Sequence, residues 1–304
     1  MALEPGRVTR ERRAALPVRV TNPDKVFWPD EGYTKLDLIR YYDFVFPWLA
    51  PWVKDRLLAL ERCPHGLRGR CFFQKEKPAS MPPDTPTRRI VHRNGVRNYV
   101  VGGRRETQLA LANLGCIGVH VWGSRAPTPR QPDWVCIDLD PDSGVFADAA
   151  RAALRVKAAL EALGLVPFAK TSGKRGIHVF APIRVGPDAD AVRDFAGTLG
   201  RLLAGAHPTE LTMAFPLAAR RGRVYLDPGR NGFAQTVAAP YSVRRWPGAT
   251  VSAPLAWSEV KPSLDPGRLT IRTIAARLAR RDPWRAFWRS RRALEPAIEA
   301  IARM

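Results

Sequence analysis

The chain has 304 residues, 45% of them hydrophobic, which excludes a disordered chain and allows one large domain or two modest ones. It carries 49 lysines and arginines against 28 acidic residues, and the net charge of +21 favours a polyanionic partner, nucleic acid first, over arginine enrichment for solubility alone. No apolar run reaches about 18 residues and no apolar leader opens the chain, so the sequence predicts a cytoplasmic protein with no membrane partner.

The first 130 residues are predicted to begin with an irregular arm and then to alternate short strands with helices. Residues 1–17 are rich in arginine and predict a mobile basic arm. Thr34 is a typical N-cap for the helix that follows it. The predicted elements are a short strand within 18–28, helices over 35–46 and 47–54, strands over 57–62 and 71–75, a hairpin over 90–101 with Asn94-Gly95 at its turn, a helix over 107–115 and a strand over 117–122.

The strand predicted over 134–140 turns from apolar to acidic at its end, Ile137-Asp138-Leu139-Asp140. Because strand side chains alternate, Asp138 and Asp140 share one face while Leu139 faces the core. Adjacent carboxylates repel each other unless a cation lies between them, and ligands that are all oxygen suit Mg²⁺ or Mn²⁺. The alternative is a solvated turn or a helix cap, which fits the following Asp142 and Ser143 better.

Strands and helices continue to alternate after this strand, which predicts an α/β or α+β fold. No internal repeat is present. The predicted elements are a helix over 147–163, a strand over 166–170, a glycine-bracketed basic loop over 171–176, a strand over 177–183, a helix over 189–206, a mixed loop over 207–223, a short strand over 224–227, a helix over 269–279 and an Arg/Trp-rich amphipathic helix over 283–304.

Two further segments suit phosphate or metal binding. In the segment from Ser172 to His178, two glycines let the backbone approach a ligand, and the hydroxyl and cations can bind phosphate oxygens, although the spacing is not that of a P-loop. Asp227 is a third acid at a strand end. Three carboxylates could hold two metal ions that activate a 3′-hydroxyl and neutralise a leaving pyrophosphate. Arg244 could then bind the triphosphate as a bidentate cation. Each segment alone has a plainer interpretation, namely a turn, a core histidine and a turn start.

The four cysteines form no Cys-x-x-Cys pair. Cys116 and Cys136 lie in apolar runs and are predicted to be core thiols. Cys63 and Cys71 flank His65, which suggests zinc, but no fourth ligand stands at a suitable spacing, so zinc is the weaker interpretation.

In their joint order these segments resemble the archaeo-eukaryotic primase-polymerase superfamily, and within it the polymerase domain of bacterial ligase D, the enzyme of non-homologous end joining. The similar motifs are Asp138-Leu139-Asp140, Ser172 to His178, Val224 to Asp227, Asn231 to Thr236, and Pro240 to Arg244. The resemblance runs from about residue 22 to about residue 260. It implies an α+β (mixed α/β) primase-polymerase fold, with an RRM-like catalytic sheet packed against a second α/β module.

The resemblance also implies how the chain is organised. Residues 1–304 are expected to form a single primase-polymerase domain. Within it we expect an N-terminal module over 18–130 with the 5′-phosphate and template-binding surface, a catalytic module over 131–260 with the metal-binding acids, and a C-terminal helical segment over 261–304.

The resemblance further implies roles for individual residues. The acids Asp138, Asp140 and Asp227 are expected to hold two divalent ions, Mn²⁺ or else Mg²⁺. The residues expected to contact the incoming nucleotide are Ser172, Arg175, His178, Arg244 and, by a looser match, His120. The residues expected to contact DNA are Lys25 and Lys35 at a 5′-phosphate, Arg62, Phe72 and Phe73 at the template, and Arg220, whose loop meets the primer strand or a second end together with the hairpin near 92–105. Since Phe72 and Phe73 alternate faces, at least one of them is expected in the core.

Three positions depart from the family pattern. Arg175 stands where a lysine is common, which keeps the charge. Pro228-Gly229-Arg230 is an unusual sequence after the third acid. Glu61 precedes Arg62 where a cation is often present.

The implied function is template-directed nucleotidyl transfer that fills short gaps or extends ends in DNA break repair, with ribonucleotides preferred. The implied partners are gapped DNA or 3′-overhang ends with a 5′-phosphate, NTPs or dNTPs, an ATP-dependent DNA ligase and an end-binding protein such as Ku, at the nucleoid. The sequence has no Lys-x-Asp-Gly, so ligase activity would come from another chain or domain. The alternative is a non-catalytic module that binds and bridges DNA ends.

Overall fold

The computed structural model describes residues 16–304, so nearly all of the arm predicted over 1–17 lies outside the described residues. The strands are β1 Val26–Trp28, β2 Tyr33–Thr34, β3 Leu58–Arg62, β4 Phe72–Gln74, β5 Thr87–His92, β6 Gly95–Val100, β7 Cys116–Trp122, β8 Trp134–Pro141, β9 Phe168–Thr171, β10 Ile177–Pro182, β11 Leu211–Thr212, β12 Val224–Asp227, β13 Thr236–Ala238 and β14 Pro254–Leu255. The helices are α1 Lys35–Val53, α2 Arg105–Asn113, α3 Phe146–Ala162, α4 Ala189–Ala206, α5 Leu217–Arg220, α6 Ile274–Leu278 and α7 Glu295–Ala302. Within the described residues, no helix has both the length and the apolar character needed to cross a bilayer.

The larger sheet has six strands in the order β11-β12-β8-β10-β9-β14. At its centre β8 runs antiparallel to both of its neighbours, β10 and β12. The helices α3 and α4 pack against this sheet and against each other. Leu139 of β8 is fully buried, as the alternation of strand side chains predicts, and Asp138 and Asp140 therefore share the opposite face.

The smaller sheet has the order β13-β7-β3-β4, and α1 and α2 pack against its strand β7. Its strand β13 comes from the predicted catalytic module, yet it pairs with β7 of the predicted N-terminal module, Ala238 opposite His120. Residues 228–235 alone separate β13 from β12 of the larger sheet. The two sheets are thus joined by one short stretch of chain, and acids of one sheet line the same cleft as His120 of the other.

The helix α1 is continuous where two helices were predicted. Thr34 caps it as expected: its Oγ1 accepts the Asp37 amide at 3.3 Å, and Asp37 Oδ2 accepts the Thr34 amide at 2.8 Å. The helix then runs to Val53 through Pro47 and Pro51, so the predicted break after residue 46 is wrong. Burial of the helix beyond both prolines outweighs the hydrogen bonds that they remove.

The hairpin β5–β6 forms as predicted, but it is longer and its turn lies one residue earlier. It begins at Thr87 rather than at Ile90. Because His92 pairs with Gly95, the two turn residues are Arg93 and Asn94.

The prediction of two core thiols is confirmed, and the other two cysteines form a bond that the sequence did not predict. Cys116 and Cys136 are buried free thiols. Cys63 and Cys71 are bonded to each other as a disulfide between the end of β3 and the start of β4. The zinc interpretation of this pair is therefore wrong.

The segment after residue 260 is less helical than predicted. The helix expected over 269–279 shrinks to α6, and the helix expected over 283–304 is a 3₁₀ turn at Phe287–Ser290 followed by α7. Between them Arg292 forms an isolated β-bridge with Ile183. Because a residue inside a continuous helix has no free backbone groups for such a pair, the bridge interrupts the predicted helix.

Trp284 connects this C-terminal segment to the rest of the core. Its Nε1 donates to the Ala169 carbonyl of β9 at 2.9 Å. Its ring lies 5.1 Å from that of Trp52 on α1 and 5.4 Å from that of Phe180 on β10, between centroids. Aromatic side chains of this size contribute much of the free energy of a core, and their requirement for burial explains why the segment bends inward.

We expect Trp284→Ala to lower the free energy of unfolding by about 3–5 kcal/mol, because it removes a fully buried indole and leaves the Ala169 carbonyl without its donor. Urea denaturation followed by fluorescence or circular dichroism measures the change. Leu154→Ala, at an exposed position of α3, is the control and should change stability by less than about 0.5 kcal/mol. Equal effects of the two substitutions would contradict the assigned role of Trp284.

Candidate active site

Three carboxylates meet on one face of the larger sheet. Asp138 and Asp140 lie two residues apart on β8, and Asp227 on β12 stands directly opposite Asp138 in the antiparallel register. The side chains of Asp138 and Asp227 are only 16% and 18% exposed, whereas that of Asp140 is 60% exposed. All three line one cleft of about 700 Å³. The fold thus brings together acids that are almost ninety positions apart in the chain.

Each of these acids faces a basic side chain. Asp138 lies 3.2 Å from His178 Nε2 through Oδ1 and 3.1 Å from Arg230 Nε through Oδ2. Arg230 Nε is also 3.2 Å from Asp227 Oδ2, and Arg220 Nη1 donates to Asp140 Oδ2 at 2.9 Å. Over residues 16–304, no three His, Cys, Asp or Glu side chains are already gathered into a metal cage. The carboxylates are near one another, but protein cations are their present partners.

The pKa values of the two buried acids move in opposite directions. Burial alone would raise the pKa of Asp138, but His178 and Arg230 hold it well below its usual range. Burial raises the pKa of Asp227, and the negative charge of Asp138 raises it further. The nearby Arg230 lowers this pKa but does not fully offset the increase. A site of this kind favours any added positive charge, because the charged form of Asp227 is destabilised by burial and by the negative charge that Asp138 keeps.

A buried lysine fixes the orientation of His178. Lys170 lies opposite His178 in the register of β9 and β10, and its Nζ is 2.7 Å from His178 Nδ1. Burial and the neighbouring Lys170 lower the pKa of His178 to about 4, so the imidazole is neutral at pH 7. With Nδ1 accepting from Lys170, the ring proton is on Nε2 and points at Asp138.

The loop after β9 is shaped by its glycines. The Ser172 hydroxyl accepts the amides of Lys174 at 3.2 Å and Gly176 at 3.1 Å, and Arg244 donates to the Ser172 carbonyl at 2.8 Å. Gly173 has φ +76°, and a Cβ there would collide with the Arg244 side chain. Glycine is therefore required for Arg244 to reach the loop, and the loop turns its basic residues toward the cleft.

Several buried polar atoms in the cleft wall have no hydrogen-bond partner. They include Glu61 Oε2, His120 Nε2 and Arg244 Nε. Glu61 Oε2 and His120 Nε2 are 3.8 Å apart, beyond hydrogen-bond distance, while Arg245 Nε reaches the other Glu61 oxygen at 3.1 Å. Buried polar groups in native proteins are nearly always paired, so these atoms are strained polar positions in the wall of the cleft.

The cleft gathers most of the predicted site residues. All three acids, all five predicted nucleotide-binding residues, and Phe73 and Arg220 of the predicted DNA-binding residues line it. Phe73 lies edge-on to His120 with centroids 5.1 Å apart. Arg62 and Phe72 lie outside it and contact each other, the guanidinium 5.5 Å from the ring. Both Phe72 and Phe73 are exposed, so the expectation that one is a core residue is wrong; β4 lies at the edge of its sheet.

Lys25 and Lys35 form a separate basic site at the start of α1, outside the cleft. The Lys35 amide donates to the Lys25 carbonyl at 2.8 Å, which holds the two residues side by side. Lys25 Nζ is 3.1 Å from His65 Nδ1, and Lys35 Nζ donates to Thr21 Oγ1 at 3.0 Å. Burial and the neighbouring Lys25 lower the pKa of Lys35. Two close ammonium groups at a helix start suit an anion.

Sequence reasoning missed Lys170 and the pairing of Arg230 with the acids. Lys170 ends an otherwise apolar strand, a position where a lysine needs a buried partner, and that was its only signal. Arg230 follows Asp227 by three residues, a spacing that one 3₁₀ turn, Gly229–Asn231, converts into contact.

The profile of the family described as LigD, primase-polymerase domain, matches residues 34–284. The chain belongs to this family. Among curated relatives, the multifunctional non-homologous end joining protein LigD of Mycolicibacterium smegmatis is 32% identical over 267 residues, which are 86% of this chain and 34% of that protein. The bifunctional non-homologous end joining protein LigD of Bacillus subtilis is 32% identical over 278 residues, 90% of this chain and 44% of that protein.

A solved structure agrees with the family. The polymerase domain from Mycobacterium tuberculosis ligase D, in complex with DNA, matches with a TM-score of 0.85 at 29% identity and covers 91% of this chain and 99% of that one. The predicted family and mixed α/β primase-polymerase fold are confirmed. The LigD primase-polymerase chain described here spans between a third and a half of the length of the two curated relatives.

The buried Lys170 makes stability depend on pH. Burial lowers its pKa from 10.5 to about 7, so between pH 7 and about 10 the unfolded chain holds a proton that the folded protein lacks. The free energy of unfolding therefore rises with pH in this window, and this contribution of Lys170 is lost as the pH falls toward 7. We expect the free energy of unfolding of the wild type, minus that of Lys170→Met, to increase by about 1–2 kcal/mol from pH 7 to pH 9 in urea denaturation. A difference that does not vary with pH would show that Lys170 titrates normally.

Proposed function

We propose that this LigD primase-polymerase chain is a template-directed nucleotidyltransferase that fills short gaps or extends ends in DNA break repair, with ribonucleotides preferred. The observation that carries the proposal is the convergence of Asp138, Asp140 and Asp227 on one face of a cleft that Lys174, Arg175 and Arg244 also line. Family membership and the matching ligase D polymerase domain support the reaction class.

The donor set fits two divalent cations. Three carboxylates supply oxygen ligands only, which suits Mn²⁺ or Mg²⁺, and the raised pKa of Asp227 favours a further cation beside it. When bound there, such ions would lower the pKa of the primer 3′-hydroxyl and neutralise charge on the triphosphate. Asp138 would be held for this task by the Nε2–H of His178, itself fixed by Lys170.

The basic residues of the cleft would bind the incoming nucleotide. Arg244 can present a guanidinium to phosphate oxygens, and Ser172 keeps its hydroxyl proton as a donor because its oxygen already accepts two amides. Lys174 and Arg175 lie 5.6 and 5.5 Å from the Trp246 ring, which supports both cations at the mouth of the cleft. These groups would position the triphosphate for in-line displacement of pyrophosphate.

Nucleic acid would lie across the two sheets. Exposed Phe73 borders the cleft and can stack on a base. Phe72 precedes it on the edge strand β4 and pairs with Arg62 of β3. Arg220 reaches the cleft from the end of α5, before β12. Lys25 and Lys35 would bind the 5′-phosphate at the far side of a gap. The net charge of +21 suits a polyanionic substrate.

The wider setting follows from the relatives. They are named as non-homologous end joining proteins and are two to three times as long as the matched region. We therefore propose that the chain acts beside an ATP-dependent DNA ligase and an end-binding protein such as Ku, at the bacterial nucleoid.

A primer-extension assay with Mn²⁺ tests the catalytic proposal. We expect Asp138→Asn with Asp140→Asn to lower the extension rate at least about 10³-fold, because the divalent ions that would activate the hydroxyl and neutralise the phosphate would lose their carboxylate ligands. The matched control is Asp190→Asn with Asp194→Asn, two exposed acids of α4, which should extend primers normally. Extension by the cleft double variant at the control rate would leave only the end-bridging alternative.

The 5′-phosphate site predicts a selective defect. We expect Lys25→Ala to weaken binding about tenfold to a gap that bears a 5′-phosphate and much less to the same gap with a 5′-hydroxyl, because a charge-assisted contact is lost. Fluorescence anisotropy with both substrates measures this, with the exposed Lys261→Ala as the charge-matched control. Equal weakening on both substrates would argue for a general electrostatic role.

A further inference from the structure

Arg230 occupies the space between two of the cleft acids. Its Nε lies 3.1 Å from Asp138 Oδ2 and 3.2 Å from Asp227 Oδ2, so one guanidinium bridges β8 and β12. No other cation of the described residues contacts both of these acids. The carboxylate oxygens that Arg230 engages are the ones a metal ion between these two strands would also need.

The backbone beneath Arg230 is fixed, while its side-chain end is not. Asn231 is buried, accepts the Cys136 amide at 2.7 Å and donates to the Cys136 carbonyl at 2.7 Å, so the turn is held against β8. The Gly229 amide donates to Asp227 Oδ1 at 2.8 Å. The Arg230 side chain itself is 39% exposed, which leaves its guanidinium free to leave the acids for solvent or for the cleft.

Arg220 differs in this respect. Asp140 is the only one of the three acids that Arg220 contacts, and the Arg220 side chain is almost fully buried. It also donates to the Phe215 carbonyl at 3.1 Å and lies 4.3 Å from the Tyr225 ring. It is therefore tied in place by several contacts, whereas Arg230 has the two carboxylates as its polar partners.

We propose that Arg230 is a built-in counter-cation that competes with divalent metal for Asp138 and Asp227, so that metal binds only when the guanidinium moves away. This inference rests on the metal site proposed above. A divalent ion takes carboxylate oxygens at about 2.0–2.2 Å, and a guanidinium hydrogen-bonded to the same oxygens both blocks that approach and repels the charge. Arg230 thereby stabilises the metal-free site and weakens the metal-bound one.

Direct titration of Mn²⁺ into the nucleotide-free and DNA-free protein tests this, by calorimetry or by electron paramagnetic resonance of free Mn²⁺. We expect Arg230→Gln to bind Mn²⁺ about tenfold more tightly than the wild type, and Arg230→Lys, which keeps the charge, to bind it nearly as weakly as the wild type. Arg245→Gln is the charge-matched control, since Arg245 lies in the same cleft but pairs with Glu61, and it should change the affinity less than about twofold. Unchanged or weaker Mn²⁺ binding by Arg230→Gln would overturn the proposal.

Two further measurements separate the possible failures. In the presence of EDTA, Arg230→Gln should unfold at a lower temperature than the wild type, and Mn²⁺ should raise its unfolding temperature more; a purely structural arginine would give the first effect without the second. Asp138→Asn should abolish Mn²⁺ binding in both backgrounds. If the wild type binds Mn²⁺ through Asp138 but Arg230→Gln has no effect, only this inference fails. If no variant shows saturable binding, the metal site of the proposed function fails with it.

Discussion

Repulsion between carboxylates is the constraint around which this molecule is arranged. The antiparallel register of β8 and β12 sets Asp138 against Asp227, and the strand period adds Asp140 on the same face. Acids so close in a half-buried cleft are unstable without positive charge. Arg220 and Arg230 supply it in the protein by itself, and the neutral His178 adds a hydrogen bond to Asp138; each of the three comes from a different element. The same repulsion that makes these partners necessary makes the site attractive to metal.

The charge around the acids is graded by burial. Lys170 and His178, behind the acids, are deeply buried, and burial lowers the pKa of both side chains. Near pH 7, His178 is therefore a neutral hydrogen-bond donor and Lys170 carries only part of its charge. The side chains of Arg245 and Arg230, which also line the cleft, are more exposed. A polyanionic ligand that enters from solvent would thus meet the exposed guanidinium groups first and the buried hydrogen-bond donors afterwards. This order suits electrostatic attraction of the ligand followed by its precise orientation.

Strand alternation and motif order were enough to predict the shared face of Asp138 and Asp140, the α+β fold and the membership of the family. They could not give the strand register, which alone decides that Asp227 meets Asp138 and that Lys170 meets His178. The disulfide of Cys63 and Cys71 depends on how β3 and β4 approach, and the bent C-terminal segment depends on pockets for its aromatic rings. These are properties of tertiary packing, which local pattern does not encode. The metal ions, the sugar preference and the residue roles stay predictions.

The strand β13 makes the two halves of the chain depend on each other. It follows β12 of the acidic sheet in the chain but completes the other sheet, where Ala238 pairs with His120. A cut between residues 130 and 131 would leave β7 without this partner and β13 without a sheet, so each fragment would carry an unpaired strand edge that invites aggregation.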